Sequence, residues 1–229
     1  IGYKNLETAG YSDGKIYGLK PVEFKKQVDS LGMKVTSAHL GQSYTKGNED
    51  KVMDWWKIAT EAHNKAEMIY MVMPFLPVGE KNELNDLKRY CEYFNKVGEL
   101  TKKSGITFGF HNHAGEFKKV GDHVIYDYML ANTDKDKVCF ELDVYWCQVG
   151  GANPAEYLKK YSDQIILTHI KDEKEIGASG MMDFEAIFKQ MNRSKMKDWY
   201  VEIEEYTNND PLASAQESFD YLNKARYVK

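Results

Sequence analysis

Apolar and polar positions along the chain follow two alternating periods. Short, mostly apolar runs span Tyr3 to Glu7, Lys34 to His39, Met68 to Met73 and Ile106 to His111, then Val138 to Asp143, Ile165 to His169 and Tyr200 to Glu204. Runs of that length and character are expected of strands covered on both faces. Between them the period lengthens to that of helices. Phe24, Val28 and Leu31 share one helical face, and Gly32 follows as a C-cap. Leu84, Leu87, Phe94 and Val97 mark a longer helix that continues to Lys102 and Lys103 and stops at Gly105. Asn153-Pro154 supplies a cap and a first-turn proline ahead of "AEYLKKY", Asp183 caps "FEAIFKQM", and Phe219 with Leu222 anchors the last helix.

Strand starts recur roughly every 27 to 38 residues, the rhythm of βα units in a parallel sheet with right-handed crossovers. Seven such units are counted. A (β/α)₈ barrel takes roughly 250 residues, so the pattern reads as an α/β barrel lacking its first strand and helix. A doubly wound open sheet competes with it, although no Gly-rich phosphate loop of the GxGxxG type follows any strand. With no linker, low-complexity stretch or composition break, residues 1–229 read as one domain.

Composition narrows the function classes. The hydrophobic fraction is 42% and the charged fraction 29%, ordinary values for a globular protein. A formal charge of −4 without any basic block speaks against nucleic acid as a partner, and no apolar run approaches the roughly 20 residues that span a bilayer. Cys91, Cys139 and Cys147 lack CxxC spacing, which argues against a disulfide framework or a thiolate zinc site. The opening "IGYKNLETAG" resembles neither a signal peptide nor an initiator sequence. Cytoplasm and periplasm therefore both stay open, as does a homo-oligomer.

The strand ends carry the chemistry. Glu7, His39, His111, Asp143, His169 and the pair Glu202 and Glu204 each stand at the carboxyl edge of a run. In a barrel those edges share one rim, where active sites are built. Singly, each has a duller explanation: a core or rim histidine, a turn-capping aspartate, a solvated edge glutamate. Together, histidine, aspartate and glutamate from adjacent strands suit Mn²⁺, Mg²⁺, Zn²⁺ or Co²⁺. Glu202 and Glu204 would share a face with Tyr200, and two carboxylates on a buried face are costly without a cation. His63 in a helix and His123 beside a loop read as surface residues.

The stretches "HNHAGEF", "LDVYW…GGANP", "THIKD" and "YVEIEEY" resemble the sugar phosphate isomerase/epimerase family with the xylose isomerase-like TIM-barrel fold, and the resemblance covers essentially the whole chain. It implies a metal-dependent enzyme acting on a sugar or keto-sugar through an enediolate. It also implies metal ligation by Asp143, His169 and one glutamate of "VEIEE", with Glu202 the first choice and Glu204 close behind. Many relatives carry a glutamate where this chain has His111, so either His111 ligates the ion or Glu116 reaches back from its loop. Glu204 or Glu116 is then the base, His113 its acid/base partner and Lys171 an aid to the oxyanion. Glu7 and His39 at the rim, with Tyr145, Trp146 and Phe75 beyond strand ends, are left for a small sugar substrate. The same chemistry with loss of a β-hydroxyl would make a lyase or hydratase, and a non-catalytic carbohydrate-binding subunit is the third class.

Overall fold

The computed structural model describes residues 1–77, 84–207 and 209–228. The chain forms two compact units, one of residues 4–111 and 119–139 and one of residues 1–3, 112–118 and 140–229. Both are built of parallel strands alternating with helices.

The first unit holds strands β1 (Asn5–Thr8), β2 (Lys34–His39), β3 (Tyr70–Met73) and β4 (Thr107–His111), paired in that order and all parallel. Glu7 stands opposite Ser37, and His39 opposite Val72. Its helices are α1 (Pro21–Ser30), α2 (Glu49–Lys65), α3 (Leu84–Lys102) and α4 (Ile125–Asn132). α1 begins on a proline whose missing N–H costs nothing there and ends ahead of Gly32, which takes φ +71°. Leu31 falls on that turn, off the helical face, and is exposed, contrary to the spacing argument. α2, which the apolar spacing did not single out, buries Val52, Trp56 and Ala59. It also buries His63, which sequence alone placed at the surface. The His63 Nδ1 lies 2.7 Å from the Ala59 carbonyl, and burial holds the imidazole below its usual pKa. The aromatic core of this unit is knit by the Trp56 indole N–H donating to Tyr93 and by Tyr44 stacked on Tyr93.

The boundary between units falls within β5 (Val138–Asp143), which is buried along its whole length. The second unit continues with α5 (Val144–Val149), α6 (Pro154–Lys160), β6 (Ile165–Lys171), α7 (Phe184–Met191), β7 (Asp198–Glu202) and α8 (Pro211–Lys224). β5, β6 and β7 are parallel neighbours, with His169 opposite both Asp143 and Tyr200 and Lys171 opposite Glu202. The anticipated caps are formed: Asn153 accepts from the Glu156 N–H at 3.2 Å and Asp183 from the Ala186 N–H at 3.0 Å. β7 lies two residues earlier than the alternating pattern suggests. Its pairing with β6 runs out at Glu202, so Glu204 stands beyond the strand and is exposed rather than buried on the strand face.

Candidate metal centre

Asp143 and Glu202 end β5 and β7, His169 stands two residues before the end of β6 between them, and each offers a ligand atom within 4.8 Å of the others'. Asp143 is 0% exposed and His169 3% exposed. The His169 Nδ1 lies 3.1 Å from a Glu202 carboxylate oxygen, and its Nε2 lies 3.3 Å from one of Glu141. Asp143 is fixed on several sides. Its Oδ1 accepts from the Trp146 N–H at 2.7 Å, which caps α5, and its backbone N–H donates to the Asn112 amide oxygen at 3.1 Å. The Asn112 amide in turn donates to the Asp143 carbonyl at 3.3 Å.

Burial pushes the Asp143 carboxyl well above its ordinary pKa, while the His169 charge pulls the other way. Enclosed carboxylates beside an imidazole are expensive unless a cation balances them. Two carboxylates and one imidazole are a donor set suited to a divalent first-row ion or Mg²⁺, so the residues present fit such an ion.

Lys171 ends β6 two residues after His169 and is 1% exposed. Its ammonium group is 2.9 Å from a Glu204 oxygen and 3.7 Å from Glu202, and sits over the rings of Tyr145 and Trp146 at 5.8 and 6.0 Å. Glu204 is therefore brought to the site through Lys171 rather than by the strand. On the loop after β4, Glu116 is buried and accepts from the His113 backbone N–H at 2.7 Å, a reciprocal cap on the 3₁₀ turn Ala114–Phe117. Burial raises the Glu116 pKa. The His113 ring faces Trp146 with centroids 5.8 Å apart.

The first unit carries its own polar row. Ser37 donates to Glu7 at 2.5 Å, the other Glu7 oxygen lies 2.9 Å from His39 Nε2, and the His39 and His111 rings are 4.8 Å apart. Glu7, one residue before the end of β1, thus lies in one row with His39 and the buried His111, which end β2 and β4.

Glu141 was missed. It is 0% exposed and stands two residues before Asp143. The period of two within β5 puts it on the same face, a signal present in "FELD".

The family described as xylose isomerase-like TIM barrel matches residues 1–225. A sugar phosphate isomerase/epimerase from Parabacteroides distasonis is 38% identical, with a TM-score of 0.93, over 100% of this chain and 89% of that one. The IolI protein, solved with a zinc atom, matches over 99% of this chain and 88% of its own with a TM-score of 0.78. At 15% identity that likeness is one of fold. Among curated proteins, the inosose dehydratase of Clostridium beijerinckii is 28% identical over 62% of this chain and 53% of its own length. The chain spans about half the length of the curated relatives it matches. Among the described residues, no helix is long and apolar enough to cross a membrane.

Proposed function

The chain belongs to the xylose isomerase-like TIM-barrel family, and from that premise we propose that it is a divalent-metal-dependent isomerase or epimerase of a sugar or keto-sugar, working through an enediolate. The observation that carries this reading is the row of buried Asp143, buried His169 and half-buried Glu202 with ligand atoms within 4.8 Å of one another. The zinc atom in IolI supports it by fold likeness.

In this proposal Asp143, His169 and Glu202 hold the ion. The ion supplies Lewis-acid stabilisation of negative charge on a substrate oxygen. Glu204 removes a proton next to the substrate carbonyl. Glu116, whose burial favours the protonated form, returns one, with His113 as its partner. Lys171 places a fixed positive charge beside Glu202 and Glu204. Tyr145 and Trp146 contact the sugar.

The dehydratase relatives favour one second reading, in which the same enediolate expels a β-hydroxyl. Two measurements separate the cases. Metal-free protein is reloaded with Mn²⁺, Mg²⁺, Zn²⁺ or Co²⁺, and bound ion is counted for wild type, Asp143→Ala and His169→Ala. Full metal content in both variants removes the site assignment. Keto-sugars are then incubated with the loaded protein: a new epimer or isomer supports the first reading, and an enone absorbance the second.

A further inference from the structure

Metal binding requires a neutral imidazole, which has a single N–H, yet His169 has a carboxylate oxygen at each ring nitrogen: Glu141 3.3 Å from Nε2 and Glu202 3.1 Å from Nδ1. Only one of the two can be met by that proton. The other nitrogen faces an oxygen lone pair, an arrangement that becomes favourable when a cation lies between them. The two sides are not equivalent. Glu202, whose oxygen lies at Nδ1, forms one cluster of mutually close ligand atoms with Asp143 and His169.

We propose that Glu141 is a positioning residue: its carboxylate accepts the Nε2 proton of His169, and this commits Nδ1 to the cation shared with Asp143 and Glu202. The inference rests on the function proposed above and adds a role outside the ligand set. Metal-bound histidines commonly hand their second N–H to a carboxylate, which fixes the tautomer and makes the ligating nitrogen a stronger donor. The setting explains why a glutamate tolerates complete burial here. Glu141 is 0% exposed in a strand buried at every position, where a carboxyl group left without a hydrogen-bond donor is costly. An imidazole polarised by a cation provides such a donor. β5 and β6 set the geometry, because Glu141 stands opposite Leu167 and Asp143 opposite His169.

Zinc alone is the probe. In ¹⁵N-histidine spectra, with the His169 signals identified from a His169→Gln variant, zinc-loaded wild type is expected to show the proton on Nε2 and the metal on Nδ1. Glu141→Gln keeps the side chain's shape and an acceptor oxygen. It should weaken zinc binding by about 10- to 100-fold while one ion per chain is still bound at saturation. Zinc on Nε2 overturns the proposal, as does unchanged affinity in Glu141→Gln. Loss of the ion even at saturating zinc also overturns it, because Glu141 would then be a ligand itself. If wild type takes up no zinc, the proposed function falls. The metal-free spectrum still decides this inference: a proton on Nε2 supports it, and a proton on Nδ1 alone sinks it.

Discussion

Glu175 stays ionised in a buried place because its neighbours donate to it. The Thr207 N–H and hydroxyl reach its two oxygens at 2.9 and 2.7 Å, and these bonds bring its pKa down to about 2 from 4.5. A folded-state pKa below the unfolded one stabilises the fold above the unfolded value, and that contribution is lost as pH falls through the folded value. Glu175→Gln should therefore cost about 2 kcal/mol at neutral pH, the scale of hydrogen bonds to a charged acceptor. The gap to wild type should close as pH drops from about 4.5 towards about 2. Denaturant titrations at a series of pH values check this, and a gap of constant size would count against the charge argument. At Gly98 the deciding effect is steric. An alanine there would gain about 1 kcal/mol of helix propensity, but its Cβ would lie 2.1 Å from the Lys137 carbonyl oxygen. Backbone cannot step aside as a flexible side chain can, so Gly98→Ala is expected to destabilise by about 2 kcal/mol.

Elements were legible where burial was two-sided. β2 and β5 match their runs to the residue, because a strand covered on both faces is marked by a short, mostly apolar run rather than by alternation. β7 was misplaced because "YVEIEEY" keeps alternating past the point where β6 offers a partner. Period two reports which side chains share a face, not where the ladder stops. That shift is why Glu204 looked like a buried strand residue and proved to be an exposed one held by Lys171. His63 was misread because a histidine facing inward from a helix has no sequence signature beyond its apolar neighbours. The centre itself is half legible: Asp143, His169, Glu202 and Lys171 stand at or near run ends and come together, while Glu141 lies inside its run yet shares the face of Asp143. The two helix starts read from their caps, Asn153 and Asp183, are formed, since a cap is a local bond. Asp183→Ala should cost about 1 kcal/mol and Asp183→Ser should restore most of it. Calorimetric melting of the three proteins tests the pair, and equal melting points would dismiss the cap.

For the chain as a whole, residues 1–229 are proposed to fold as one domain, in keeping with a family match that runs unbroken over residues 1–225. Metal linkage tests this together with the site. An ion that binds only the folded protein adds about 2.7 kcal/mol when its concentration is 100 times Kd. In a protein of this size that amounts to a rise in Tm of roughly 5 to 10 °C. Asp143, His169 and Glu202 all belong to the second unit. If the two units unfolded independently, zinc would move one transition and leave the other where it was. A single domain requires one transition, coincident in far-ultraviolet circular dichroism and tryptophan fluorescence, displaced as a whole by zinc and returned by a chelator. Asp143→Ala should abolish the displacement while keeping the single transition. Two melts with only one responding to zinc would disprove the single domain and leave the metal site standing; one melt indifferent to zinc would do the reverse.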